Sequence, residues 1–263
     1  MLELYYWEPN TFFLKPLIAL QETRLEFTPH YFDALQFEQF SKGFPRTSET
    51  LHNVENEGPL LISAGTVMCG SFFLLEYIAD SAGGDWLSST DPYERYMMQE
   101  WAQVTGKMLG ICVSLLGCVR YLAPVLREIG PERLSAKIGD KVPAERRKRW
   151  LELIDGSLDS ELLDLIRQRL DKYIQQIEKR LAESPWLVGK RYSIADIDVF
   201  SLIWTLPGLA PDSVNEVKAP RMLEYIERIR QRPAVQSALS MSRCGRPQEC
   251  FVPGIEPSRW LGL

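Results

Sequence analysis

Histidine is nearly absent, with two residues in 263. Neither stands near a cysteine or an acidic pair, so the sequence offers no metal-ligand pattern and a metal enzyme is not expected. Cysteine is sparse and scattered, at positions 69, 112, 118, 244 and 250. No pair has the CxxC spacing, and the odd count predicts reduced thiols. Positive charge is in deficit: the formal net charge is -5 and the pI about 5.3, which excludes the basic footprint that nucleic acid requires. The opening MLELYYWEPN carries an acid at its third position and turns polar by residue 8. It lacks the basic and apolar regions of a signal peptide, and a cytoplasmic protein is expected. Long apolar runs are lacking too. The most apolar stretch, Met108 to Leu126, contains Arg120, Pro124 and two glycines. It is read as a buried helix with a break, and no membrane partner is assigned.

What remains is ordinary globular composition, 45% hydrophobic and 25% charged. The length suits two domains. Residues 2–7, LELYYW, suit a strand that Pro9 ends. Residues 13–22 carry apolar side chains at 13, 14, 17, 18 and 20, the stripe of an amphipathic helix, with Pro16 near its start. LEFTPHYF, residues 25–32, reads as a strand whose proline marks an edge or an end. Asp33 to Glu57 is polar with weak helical signals. PLLIS and TVM then flank a tight turn at Ala64-Gly65, and Ser71 is the expected N-cap of the helix SFFLLEYIAD. The order β-α-β-(α)-β-β-α describes one mixed sheet with helices packed on it.

A Gly/Ser/Asp/Pro linker occupies 81–92, and everything after it reads as helix. One long helix is expected from about Tyr93 to Leu126 and another from about Leu158 to Glu183. The basic run Arg146-Arg147-Lys148-Arg149 and the acids Asp155, Asp159, Glu161 and Asp164 are read as solvated faces. The expected division is 1–82 for the sheet domain, 93–241 for the helical domain, and 242–263 for a tail extended over the surface.

Trp186-Leu187-Val188-Gly189-Lys190-Arg191-Tyr192-Ser193-Ile194-Ala195-Asp196 resembles the signature of glutathione S-transferase C-terminal domains. Ser193 and Asp196 have the spacing of a capping-box variant, a folding motif that carries no chemistry. Pro220 to Ile229 with Arg232-Pro233-Ala234 is similar to the last core helix of that family and its stop. The resemblance implies a thioredoxin-like N-terminal domain followed by an all-helical C-terminal domain. The segments Met1 to Tyr5, Leu14 to Leu20 and Leu25 to Pro29 resemble the glutathione-dependent β-etherases of lignin-degrading sphingomonad bacteria, and the stretch between about Ala123 and Leu158 looks like an insert of that group. In those enzymes the glutathione thiolate attacks the carbon bearing an aryl ether beside a ketone, and a phenoxide leaves.

The resemblance implies three elements of a glutathione site. Gly58, Pro59 and Leu60 would form a main-chain clamp that pairs with the tripeptide like an added strand, with Pro59 in the cis form. Gly70 and Ser71 would bind the γ-glutamyl end at a helix start, where Ser71 is either a ligand donor or a simple cap. Relatives place an acid before this serine to hold the ligand's ammonium; here that position is Gly70. The third element is a donor that stabilises the thiolate. The related enzymes carry an Asn-Ser pair just before Leu-Lys-Pro, where this chain has Phe12-Phe13. Asn10 and Thr11 are the neighbouring candidates for that role. Glu55 and Glu57 beside the clamp disfavour an anionic ligand. The expected function is therefore a weakly catalytic or non-catalytic subunit of a glutathione-dependent β-etherase, dimeric with a catalytic paralogue and acting on an aromatic ether. The alternatives are a self-sufficient homodimeric transferase or etherase, and a binding protein without catalysis.

Overall fold

In the computed structural model, residues 1–45, 58–84, 86–139, 142, 144–156 and 160–253 are described. The first element, β1 (Leu2–Tyr6), lies at the centre of a four-stranded sheet of order β2-β1-β3-β4. Helix α1 (Thr11–Thr23) crosses from it to β2 (Phe27–Tyr31), which pairs parallel with β1. Strands β3 (Leu60–Ser63) and β4 (Thr66–Met68) add antiparallel on the other side. Pro29 thus sits in an edge strand, where its missing N–H breaks no ladder. The β3–β4 turn places Ala64 and Gly65 at φ 49° and 81°, the left-handed pair that a two-residue hairpin requires. Two 3₁₀ turns, Ala34–Gln36 and Glu38–Phe40, take up the weak helical signal after β2. Glu55 and Glu57 lie outside the described residues.

Helix α2 (Ser71–Ala82) closes this part. The structure corrects the expected cap: Gly70, at φ 88°, is the N-cap and Ser71 is the first helical residue. The proposed cis bond is also corrected. Among the described residues no peptide bond is cis, so Gly58–Pro59 is trans, the form favoured by about 0.5–1 kcal/mol before proline.

The linker ends where Asp91 accepts the Glu94 N–H at 2.9 Å, with Pro92 as the first helical residue. One helical rod then runs further than expected. It comprises α3 (Pro92–Trp101), a π-helical stretch (Ala102–Leu109), α4 (Gly110–Gly117), a second π stretch (Cys118–Leu122) and α5 (Ala123–Ile129). Pro124 does not end the rod, because it falls in the first turn of α5. The part Gly110–Ile129 is long and apolar enough to cross a membrane, yet over half of it is buried inside the protein, as expected of a core helix. Helices α6 (Pro131–Ile138) and α7 (Ala144–Asp155) form the insert, and α8 (Ser160–Glu183) follows. Helix α9 (Ile194–Ile203) is buried along its whole length. The short α10 (Leu206–Leu209), α11 (Pro220–Arg230) and α12 (Pro233–Ser240) complete the order.

Asp196 organises the start of α9. Its fully buried carboxylate accepts N–H groups from Leu187 at 3.0 Å and Ser193 at 2.8 Å, and hydroxyls from Tyr225 at 2.8 Å and Ser193 at 3.2 Å. Both arms of the capping box are present, and the Ser193 hydroxyl also lies within reach of that carboxylate. Asp196→Ala leaves several buried donors unpaired and should cost about 3 kcal/mol or more, against about 0.5–2 for Ser193→Ala, as read by chemical denaturation. Burial pushes the Asp196 carboxyl up to about 6, against the donors that pull it down. The native state thus holds a proton that the unfolded chain has released, and the contribution of Asp196 falls as pH rises from about 4 to about 6. The stability gap between wild type and Asp196→Asn should be larger near pH 4.5 than near pH 7.5, by about 1 kcal/mol or more.

Candidate functional site

The site expected from the sequence lies where α1 begins, between the sheet and the helical rod. The apolar stripe of α1 sends Phe13, Leu14, Leu17 and Ile18 into the core. Phe13 is 2% exposed and meets the rings of Trp7 and Phe32 edge-on. It is a core residue and no part of a binding site. Phe12 lies off that stripe, half-buried, and faces the rod. A Cβ built on Gly110 would come within 3.0 Å of the Phe12 ring. Phe12 therefore occupies a slot that exists because residue 110 has no side chain.

Asn10 and Thr11, the neighbouring candidates for a thiolate donor, are both buried. The Asn10 amide makes three hydrogen bonds: Oδ1 accepts the Thr11 N–H at 2.9 Å and the Trp204 indole N–H at 3.1 Å, while Nδ2 donates to the Cys250 carbonyl at 2.9 Å. Thr11 stands at φ 46°. Asn10 thus caps α1 and tethers the tail. Of the γ-glutamyl position, Gly70 presents a backbone at φ 88° with the Phe73 ring 2.9 Å from where a Cβ would stand. A non-glycine residue there is strained on both counts. Leu60 is buried and pairs with Tyr5, so the segment expected to form the main-chain clamp stands at the end of β3 beside β1.

The tail departs most from expectation. Residues 242–253 form a strap held by buried groups. Glu8, 2% exposed, accepts the Tyr31 hydroxyl at 2.9 Å, the Ser242 hydroxyl at 2.5 Å, and the N–H groups of Arg243 at 3.2 Å and Cys244 at 3.0 Å. The Arg243 guanidinium lies over the Tyr31 ring at 4.1 Å. After the 3₁₀ turn Pro247–Glu249, Phe251 is buried and stacks on Tyr121 with ring centroids 6.0 Å apart. It fills a second slot on the rod, since a Cβ on Gly117 would lie 2.3 Å from its ring. Gly110 and Gly117 stand two helical turns apart, so one face of the rod receives Phe12 and Phe251 together. Beside them Val252 and Pro253 help to line a small hollow of about 10 Å³ with Phe13, Phe32, Phe40 and Trp150.

Reasoning from the sequence missed a buried ion pair under this site. Lys15 Nζ lies 2.6 Å from Asp198 Oδ1, with side-chain exposures of 1% and 0%. It joins α1 to α9. The second acid in the otherwise apolar run IADIDVF was the available signal. Lys15 also lies 5.1 Å from the Phe12 ring centroid.

Comparison with known proteins defines the class. Residues 156–241 match the glutathione S-transferase C-terminal domain family. With the thioredoxin-like sheet in front, the chain has the glutathione S-transferase fold. It is 29% identical over 248 residues to Protein LigF of Sphingobium sp. (strain NBRC 103272 / SYK-6), covering 92% of this chain and 94% of that protein. The crystal structure of the beta-etherase LigF superposes with a TM-score of 0.83 over 92% of this chain and 99% of that one. Glutathione transferase F7 of Populus trichocarpa shares the fold, with a TM-score of 0.68 at 20% identity over 91% of this chain and 98% of that one.

Proposed function

We propose that this chain is the non-catalytic or weakly catalytic subunit of a cytoplasmic, glutathione-dependent β-etherase that cleaves aryl ethers of lignin type. The likeness to a beta-etherase along nearly the whole chain supports the reaction class. The single observation behind the subunit's role is the closed state of its thiolate position. Phe12 is seated against Gly110, its ring offers no donor, and the Asn10 amide bonds Thr11, Trp204 and Cys250. A thiol of pKa about 8.5 is only a few per cent ionised at neutral pH without such a donor.

Dimerisation is general in the superfamily. In this chain α2 and α3 are joined by Gln99 to Glu76 at 3.0 Å and expose Phe73, Tyr93 and Tyr96. Exposed aromatics on adjoining helices suit a partner surface. A catalytic paralogue seated there would supply the thiolate that this chain does not.

Glutathione binding by the isolated chain tests the reading. Gly70 gives the ligand ammonium no carboxylate, a loss of about 1.5–3 kcal/mol or about ten- to a hundred-fold in affinity. Isothermal calorimetry should give a dissociation constant weaker than the low-millimolar range. Binding in that range or tighter would refute the degraded-site account.

A further inference from the structure

The strap carries a chemical feature of its own. Cys244 and Cys250 are six residues apart, and their sulfurs lie 3.2 Å from one another. Both are free thiols, Cys244 exposed and Cys250 half-buried. The loop between them is already closed by its own hydrogen bonds. The Arg246 N–H points at the Cys244 sulfur at 3.3 Å, the Cys250 thiol donates to the Arg246 carbonyl at 3.6 Å, and the Cys250 N–H donates to the Pro247 carbonyl at 3.0 Å. A disulfide needs the sulfurs at about 2.05 Å, so a shift of about 1 Å completes the bond. The remaining cysteines are differently placed. Cys112 and Cys118 are buried in the rod, and burial pushes the Cys112 thiol up to about 12.

We propose that Cys244 and Cys250 are a dithiol site which a small disulfide of the glutathione class oxidises to an intrachain bridge, pinning the strap against the helical rod.

The exposed Cys244 enters first. Its thiolate attacks one sulfur of glutathione disulfide, forming a mixed disulfide and expelling one glutathione thiolate, which takes up the proton that Cys244 gave to solvent. Cys250 then attacks the Cys244 sulfur and the second glutathione leaves. Two protein thiols are oxidised, one disulfide is reduced, and two glutathione molecules are released. Burial and the neighbouring Cys244 hold the Cys250 thiol up, which makes the second step the slower one.

Glu8 lies within 4.8 Å of both sulfurs, and the three could be read as cation ligands. The geometry favours the bridge. The Glu8 oxygens are taken by Tyr31, Ser242, Arg243 and Cys244. Two thiolates on one zinc at about 2.3 Å each would also stand nearer 3.7 Å apart. The bridge matters because of what the strap touches. Cys250 holds Asn10 through its carbonyl, and the next residue fills the Gly117 slot. Closing a loop this short removes open conformations of the strap without moving its native contacts.

The test equilibrates the full-length chain with graded ratios of glutathione disulfide to glutathione, alkylates the free thiols and maps peptides by mass spectrometry. The expected result is a Cys244–Cys250 peptide lighter by two hydrogens, reversed by dithiothreitol and absent in Cys244→Ser and Cys250→Ser. Hydrogen exchange of amides 243–252 should slow by about tenfold in the oxidised chain. Several results would each overturn the proposal. They are a lasting glutathione adduct on Cys244 with Cys250 still alkylated, a bridge to Cys69, unchanged exchange in the bridged strap, or oxidation that proceeds only after a chelator strips a metal from the purified chain. The mapping on the wild-type chain keeps the test decisive even where a serine variant folds poorly.

Discussion

Replacing Lys15 alone with methionine should destabilise the protein by about 3–5 kcal/mol, a large share of the roughly 5–15 kcal/mol that holds a domain together. The ammonium lies 2.6 Å from Asp198 Oδ1 with almost no solvent on either partner. In such a place the Coulomb gain and the desolvation cost nearly cancel, so the pair adds little net stability. Removing one partner keeps the cost and discards the gain. Lys15→Met with Asp198→Leu should therefore recover most of what Lys15→Met loses. Urea denaturation of the two single variants and the double variant closes the cycle, and a coupling below about 1 kcal/mol would contradict this account. The pair also fixes where α1 stands against α9. For that reason Phe12 at the start of α1 is held in one position against the rod.

The second large effect concerns attempts to restore the site. Substituting the Asn-Ser pair of the related enzymes for Phe12 and Phe13 treats two different residues as one. Phe13→Ser removes a core ring packed between Trp7 and Phe32 and should cost about 3–5 kcal/mol. Phe12→Asn empties only the slot at Gly110 and should cost less than half of that. Even so, Phe12→Asn alone should raise glutathione-dependent ether cleavage by less than about tenfold. A well-placed donor is worth about a hundred- to a thousand-fold only when the thiol is bound and aligned. Gly70 withholds the binding, and Phe251 keeps the neighbouring slot filled. Adding Gly70→Glu meets the positive φ of 88° and the Phe73 ring, so that variant must rearrange the start of α2 before it binds anything. Thermal melts read beside initial rates separate the folding losses from the catalytic gains.

Much of the fold was legible because its signals are local. The 13, 14, 17, 18, 20 stripe gave α1 and already left Phe12 outside the core. Pro29 marked an edge strand, and the run from Trp186 to Asp196 marked the start of the buried α9. That residues 12 and 13 carry no hydrogen-bond donor side chain was also readable, since both are phenylalanine. What stayed hidden depends on groups brought together from far apart in the chain. A tail rich in Gly, Pro and Arg reads as surface coil, and only the folded Glu8 carboxylate and the Gly117 slot make it a strap. Six-residue cysteine spacing carries no motif, and the two sulfurs meet because the strap turns at Pro247–Glu249. Asn10 looked available because its partners, Trp204 and Cys250, lie about two hundred residues away or more.

The central claim is that this chain does not activate glutathione by itself. The most direct measurement is the rate at which the purified chain, without any paralogue and with saturating glutathione, releases a phenol from a β-aryl ether ketone. The account predicts a rate at least about a hundred-fold below that of a catalytic paralogue assayed alongside. It also predicts no further loss on Asn10→Ala or Thr11→Ala beyond what their stability explains. Robust turnover by the unmodified chain, abolished by either of those substitutions in protein that still melts normally, would contradict it and make this chain a self-sufficient transferase.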